Sequence, residues 1–159
     1  MRARRRVTAA VFTLLVLAAG CGEDPTSPSG LPTVDVVLGE VLRIEAEVAA
    51  TAQARSTGLM NRASLAENAG MLFLFREPVR VNFYMKDTLI PLDIAFIGRG
   101  IVLEIRTMEP CPAATERCPL TIPQATYEMA LEVNAGTFKG AGIGPGTPVR
   151  VEGELPKAD

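Results

Sequence analysis

The sequence predicts a mainly β domain of sandwich or barrel type, with one or two short helices. Three observations lead to this prediction. Apolar and polar residues alternate over short runs, turns rich in glycine and proline separate these runs, and only two short segments favour a helix. The alternative is an α+β domain dominated by its sheet.

The first half of the domain contains an alternating strand, a short helix and a fully apolar strand. In residues 41–48, apolar residues occupy every second position and charged residues occupy the positions between them, which predicts a half-buried strand. Residues 51–56 favour a helix by composition. Gly58 follows at the position where a helix commonly ends with a left-handed cap. Residues 70–75 are continuously apolar, so we predict a strand that is buried on both faces.

The second half contains the strongest hairpin signal in the chain. Residues 92–97 and 101–108 are rich in β-forming residues, and the short turn Gly98-Arg99-Gly100 separates them. The segment 111–123 is rich in proline and is predicted to be a loop. Further strands are predicted at 81–85, 126–133 and 147–152, and a short turn or weak helix at 135–140.

The N-terminus has the order of an export signal. Four of the first six residues are arginines, residues 7–19 are uncharged and mostly apolar, and small residues then lead to Cys21. This apolar run has 13 residues, too few to span a hydrocarbon core of about 30 Å as a helix. We therefore expect residues 1–20 to be removed as a signal peptide.

The end of this segment, Leu17-Ala18-Ala19-Gly20-Cys21, resembles the lipobox of bacterial lipoproteins. The resemblance implies that the Cys21 sulfur takes a diacylglycerol and that the new amino group takes a further acyl chain. The alternative is that Cys21 is only a small residue beside an ordinary cleavage site. Residues 21–33 then form the lipidated cysteine and a flexible tether, and the domain at 34–155 is held on the cell envelope, on the periplasmic face of the outer membrane in a Gram-negative organism.

Composition removes several classes of function. Loss of residues 1–20 removes four positive charges, so the net charge moves from −2 to −6, and no concentrated basic run remains. We therefore do not expect nucleic acid to be a partner. The chain contains no histidine, which excludes Ser-His-Asp and Cys-His mechanisms and removes the commonest ligand of transition metals.

The two other cysteines, Cys111 and Cys118, have six residues between them in a segment expected to reach an oxidising compartment. A disulfide across the loop is the favoured interpretation. The alternative is a metal site with two thiolates, which would need further ligands that the missing histidines cannot supply.

Five motifs in the chain resemble those of a bacterial and archaeal family catalogued as domain of unknown function 192 (DUF192). The resemblance implies a compact, mainly β fold with small helical insertions, and it implies no activity. Tyr84 and Asp87 stand where the family usually has Trp and Asn, which puts in doubt any site that relies on those side chains. The motifs are Gly58-Leu59-Met60-Asn61-Arg62, Gly70-Met71-Leu72-Phe73-Leu74-Phe75, Phe83-Tyr84-Met85-Lys86-Asp87-Thr88, Ile90-Pro91-Leu92-Asp93-Ile94-Ala95-Phe96-Ile97 and Ala130-Leu131-Glu132-Val133-Asn134-Ala135-Gly136.

Five polar residues form a candidate ligand site, because each interrupts or borders an apolar run and needs a partner there. If they converge, the two cations favour a small anionic ligand and Asp93 orients them. Alternatively, Asp87 and Thr88 make a turn, while the other three form structural ion pairs. The five residues are Arg62, Lys86, Asp87, Thr88 and Asp93.

The leading functional hypothesis is a non-catalytic, lipid-anchored domain that binds a small anionic ligand or an envelope protein. The alternative is an envelope enzyme that uses Lys86 and Asp93 on a cell-wall or anionic substrate. We expect no cofactor and no metal, since the sequence contains neither a phosphate-binding loop nor acidic residues at calcium-loop spacing.

Overall fold

A computed structural model describes residues 29–159, so the predicted signal peptide, Cys21 and most of the tether lie outside the described residues. Within this range no helix is long and apolar enough to cross a membrane. The mainly β prediction is confirmed. The elements are β1 (Thr33–Leu38), β2 (Leu42–Ala49), α1 (Ala52–Thr57), β3 (Ala69–Val79), β4 (Phe83–Tyr84), β5 (Leu92–Gly98), β6 (Ile101–Met108), β7 (Leu120–Thr121), β8 (Tyr127–Asn134), α2 (Thr137–Gly140) and β9 (Val149–Glu152).

Seven of these strands form one sheet in the order β6-β5-β8-β3-β2-β1-β9. The pair β2 and β3 is parallel, with α1 in the connection between the two strands, and the other pairs are antiparallel. The remaining two strands, β4 and β7, pair with each other. The large sheet curls into a half-barrel.

The curl brings the two edges of the sheet together at one end. The backbone N–H of Val102 in β6 donates to the carbonyl of Thr147, and the N–H of Gly146 donates to the carbonyl of Val102, at 2.9 and 2.8 Å. The N–H of Val149 in β9 donates to the carbonyl of Gly100 at 2.8 Å. These bonds occupy backbone groups that an open edge would leave free for another strand.

The sheet has an apolar layer on each face. The inner core fills the concave side and includes Ile44, Leu72 and Leu131, while the outer core lies on the other side and includes Met71, Phe73 and Phe96. Successive residues of a strand point to opposite faces, so the central strands β3, β5 and β8 contribute to both cores. The prediction that residues 70–75 are buried on both faces holds for Gly70 to Phe73, while Leu74 and Phe75 are partly buried.

Four local features differ from the sequence predictions, and one of them is the two-residue strand β7, which lies within the predicted loop 111–123. The first strand, β1, was not predicted, because its short Val-Val-Leu run between Asp35 and Gly39 shows no clear alternation. The strand predicted at 81–85 is reduced to the two residues of β4, since a turn at Asp87 follows closely. In β2, Glu47 was placed on the polar face with Arg43 and Glu45, but it is buried.

Cys111 and Cys118 form a disulfide with a Cα–Cα distance of 5.8 Å, as predicted. The backbone of Cys111 also holds the segment after β4. It accepts a hydrogen bond from the N–H of Asp87 at 2.9 Å and donates one to the carbonyl of Thr88 at 3.2 Å. The predicted loop is therefore tied at its first residue to the outer core.

Gly70 in β3 lies where the backbone of β8 comes close. A Cβ atom at this position would lie 2.6 Å from the carbonyl oxygen of Glu132 and 2.9 Å from Cγ2 of Ile44. The first contact is with backbone, which cannot move without distorting the β3–β8 pairing. Only glycine fits here.

We expect Gly70→Ala to lower the free energy of unfolding by about 1–3 kcal/mol, because the added methyl group overpacks the contact between β3 and β8. Urea unfolding followed by circular dichroism measures this. Gly144→Ala is the matched control, since a Cβ there meets nothing within 4 Å. Equal stabilities for the two variants would contradict the proposed close approach.

Candidate functional site

A cavity of about 770 Å³ lies on the outer-core side of the sheet. It is bounded by α1 and the turn after it, by β3, and by the segment that contains β4. Four of the five family-like motifs contribute side chains to its wall. These include Leu59, Met60, Phe73, Phe75, Phe83, Tyr84, Thr88 and Glu132.

Aromatic rings packed edge to face build the apolar wall. The rings of Phe73 and Phe83 meet at a centroid distance of 5.0 Å, and those of Phe75 and Tyr127 meet at 5.5 Å. The Tyr127 hydroxyl donates to the carbonyl of Val81 at 2.9 Å, and burial raises its pKa. Tyr127 thereby fixes the chain that leads into β4 against the sheet.

Glu132 is the buried acid of the cavity wall. It lies in the middle of β8, directly opposite Met71 of β3 on one side and Ile94 of β5 on the other. The residue is 5% exposed. Within residues 29–159 its carboxyl group makes no hydrogen bond and no ion pair, and desolvation is the single influence on its titration.

Burial without a partner raises the pKa of the Glu132 carboxyl group to about 8. The cause is desolvation, because the apolar surroundings disfavour the charged form and no cation compensates. At neutral pH the group is therefore largely a neutral acid. It presents a hydroxyl donor and a carbonyl acceptor next to the cavity.

Arg55 lies over the ring of Phe75 in the aromatic wall, and both of its Nη groups already donate hydrogen bonds. Its Nη1 donates to the carbonyls of Ala50 and Leu74 at 2.6 and 3.0 Å, and its Nη2 donates to the Asp159 carboxylate at 2.8 Å. The guanidinium carbon lies 5.2 Å from the centroid of the Phe75 ring. Arg55 thus supports the rim of the cavity and does not reach Glu132.

The predicted site residue Arg62 forms a two-pronged ion pair with Glu47. Its Nη1 and Nη2 lie 2.5 and 2.6 Å from the two carboxylate oxygens. These bonds raise the pKa of Arg62, although burial acts in the opposite direction. The same carboxylate accepts a short hydrogen bond from the Ser29 hydroxyl. Arg62 therefore has an internal anion as its partner.

The next three predicted residues follow one another after β4. Lys86 is exposed. Asp87 lies in a turn with φ of 56°, a left-handed conformation that Asn and Asp tolerate best among residues other than glycine, and its Oδ1 is buried with no partner in the described chain. Thr88 is buried, contributes to the cavity wall and points its hydroxyl at the carbonyl of Lys86, 3.4 Å away.

Asp93 lies on the opposite face of the sheet from Glu132. It accepts hydrogen bonds from the Thr107 hydroxyl at 2.6 Å and from the Gly136 N–H at 2.8 Å. These bonds join β5 to β6 and to the start of α2. The structure does not bring the five predicted residues together, and of them only Thr88 borders the cavity.

Sequence reasoning missed Glu132 as a site residue. The available signal was a single carboxylate inside the apolar run Ala130-Leu131-Glu132-Val133. If the strand lies inside the sheet, the carboxylate is buried and needs a hydrogen-bond or charge partner. If the strand lies at an edge, water solvates the carboxylate. The position of β8 between β3 and β5, which decides between these outcomes, was not visible in the sequence.

The chain matches the model of the DUF192 family, described as uncharacterized ACR, over residues 34–151. Among solved structures, it is similar to a protein of unknown function from Novosphingobium aromaticivorans DSM 12444, with a TM-score of 0.72 and 30% identity, covering 87% of this chain and 99% of that one. It is also similar to a candidate transcription regulator from Sinorhizobium meliloti 1021, with a TM-score of 0.67 and 30% identity, covering 76% and 95%. No curated protein matches at a significant level.

We expect the stability of the protein to fall between pH 5 and pH 8 because of Glu132. The pKa of its carboxyl group is near 8 in the folded protein and near 4.5 in the unfolded chain, so the folded chain binds the extra proton in this window. The stabilising contribution of the protonated Glu132 is fully present below pH 4.5 and is lost as pH rises through the folded pKa of about 8, with a slope on the order of 1.4 kcal/mol per pH unit.

Urea unfolding at several pH values should show that Glu132→Gln flattens this slope. Glu45→Gln, an exposed control on β2, should leave it unchanged, and an unaltered slope in Glu132→Gln would refute the assignment.

Proposed function

The chain belongs to the DUF192 family, and we propose its function from the site itself: an exported, lipid-anchored domain that binds a largely apolar ligand in the cavity beside Glu132. One observation carries the proposal. A buried carboxyl group that has no partner among residues 29–159 borders a largely apolar cavity. Buried polar groups without a hydrogen-bond partner are rare in folded proteins, and those that occur often have a functional role or bind a water or an ion.

The energetic cost of Glu132 supports a ligand as its missing partner. Leaving a buried polar group unsatisfied costs about 1–3 kcal/mol, which a bound ligand or an ordered water recovers. The cavity volume of about 770 Å³ falls within the usual range of small-molecule sites, roughly 300–1,000 Å³. Its apolar wall supplies area for binding, and the buried acid Glu132 supplies a fixed polar contact.

The arrangement favours a neutral ligand over the anionic one suggested by Arg62 and Lys86. Arg62 is already paired with Glu47, and Lys86 is exposed outside the cavity wall. An anion beside Glu132 would gain no hydrogen bond once that acid ionised, and would be repelled by it.

The geometry also supports binding over catalysis. An enzyme that uses Lys86 and Asp93 needs both side chains at one substrate, but Asp93 lies on the inner face and accepts two internal hydrogen bonds. The Thr88 hydroxyl, which is at the cavity, has no base beside it among residues 29–159. We also do not extend transcription regulation to this chain, because the net charge of −6 after signal removal opposes binding to DNA.

The lipid anchor rests on the N-terminal sequence, and the described structure adds a limit on its reach. Ser29 is bonded to Glu47, so eight residue steps separate Cys21 from the point where the chain joins the domain. At about 3.5 Å per extended residue, the domain stays within roughly 28 Å of the bilayer surface. The ligand would then be bound next to the membrane.

We expect the mature protein to begin at Cys21 and to carry acyl chains, so that it sediments with membranes. Mass spectrometry of the protein purified from a bacterial host measures this directly. Cys21→Ala should abolish the added lipid mass, and Ser27→Ala, a neighbouring tether substitution, should not. A mature wild-type chain with a free thiol at Cys21 would refute the anchor.

For the cavity, we expect saturable binding of a small neutral apolar probe, 1-octanol, close to β4. The chain has no tryptophan, so Tyr84→Trp places a single fluorescent reporter at the cavity, at a position that is 43% exposed. Its emission should shift to shorter wavelength as octanol fills the cavity of the full chain in liposomes. Val41→Trp, at a 71% exposed turn position outside the cavity wall, is the control for effects of the bilayer. Equal shifts in both reporters, or none in either, would refute binding in the cavity.

A further inference from the structure

We infer that the cavity is selective for a neutral primary carboxamide or lactam carried on an apolar group, held by a paired hydrogen bond with the Glu132 side chain. This inference rests on the proposed function and narrows it to a ligand class. It stands on the geometry of the cavity and on the chemistry of a buried acid that has no partner in the described part of the chain.

The carboxyl group fixes the shape of the complementary group. A neutral carboxylic acid presents an O–H donor and a C=O acceptor side by side in one plane. A primary amide or a lactam presents C=O and N–H on the same edge and can satisfy both. An ordinary trans amide presents them on opposite edges and can satisfy only one.

Charged ligands with the same apolar part are disfavoured. A carboxylate would bring an anion into an apolar wall and would leave the Glu132 acceptor unused. An ammonium ion would require Glu132 to ionise, and no second cation or hydrogen-bond donor among the described residues stabilises that charge. The amide needs neither change.

Glu132 differs from the other polar and ionisable groups at the cavity in being both buried and without a hydrogen bond to the described residues. The Thr88 hydroxyl points at its own chain at Lys86. The remaining ionisable residues that line the cavity are half-buried or exposed, unlike Glu132. They are Arg55 on α1, Arg76 and Glu77 on β3, Tyr84 on β4, and Asp159 at the last residue.

Along the sheet, the nearest ionisable residues are also separated from Glu132. Glu47 lies two strands away in the same row, with Met71 between them, and is neutralised by Arg62. From β5, Ile94 faces Glu132 and Asp93 points to the other side of the sheet. Burial raises the pKa of Glu132 to about 8, so the paired hydrogen bond should fail above that pH.

The test compares octanamide, octylamine and octanoate, which share one apolar chain, on the full chain with Tyr84→Trp in liposomes. At pH 6 octanamide should bind at least tenfold more tightly than either charged analogue. Its affinity should fall by about tenfold between pH 6 and pH 9, since one unit above the pKa roughly a tenth of the acid remains protonated.

Two further substitutions separate the acid's role from packing. Glu132→Gln keeps a donor and an acceptor, so it should bind octanamide with no dependence on pH between 6 and 9. Glu132→Leu keeps the apolar volume but removes both, so it should bind 1-octanol and lose the preference for the amide. Tighter binding of octylamine, strengthening as pH rises, would overturn the amide class, as would an unchanged preference in Glu132→Leu. These results leave cavity binding of 1-octanol intact, whereas absence of octanol binding would overturn the proposed function itself.

Discussion

Three adjacent strands of the sheet, β3, β8 and β5, are largely apolar on both faces, and the rest of the structure follows from covering them. The concave face is covered by the curl of the sheet, which brings β6 against the approach to β9, and by Phe138 and Ile143 from α2 and the loop after it. The convex face cannot be covered in this way, so separate segments lie over it: the turn after α1, the β4–β7 pair and the disulfide loop. Irregular segments pack less completely than a sheet does, and the cavity lies where they meet.

Glu132 shows how this arrangement creates a polar site without a polar neighbourhood. On an edge strand the same residue would be solvated and would need no partner. In β8 it has a buried strand on either side, Met71 and Ile94 as its direct neighbours, and an opening only towards the cavity. Its protonation therefore depends on its position in the sheet and not on a nearby charge.

The sequence was sufficient for the parts of the fold that depend on local patterns. Alternation identified β2, the glycine turn identified the β5–β6 hairpin, and cysteine spacing in an expected export context identified the disulfide. The site was not predictable in this way. It depends on register across β3, β8 and β5, which brings residues 59, 73, 83 and 132 to one place, and single-sequence periodicity carries no information about such pairing. Arg62 illustrates the same limit, since its partner Glu47 was assigned to solvent.

The two-sided sheet has a consequence for how members of such a family can diverge. Along β3, residues 71, 73 and 75 belong to the outer core on the cavity side, and residues 72 and 74 belong to the inner core. Substitutions at residues 71, 73 and 75 therefore alter the cavity side, whereas substitutions at residues 72 and 74 alter the packing of the inner core. A lineage could acquire a new chemical preference through substitutions on one side of a strand while inheriting an unaltered scaffold on the other.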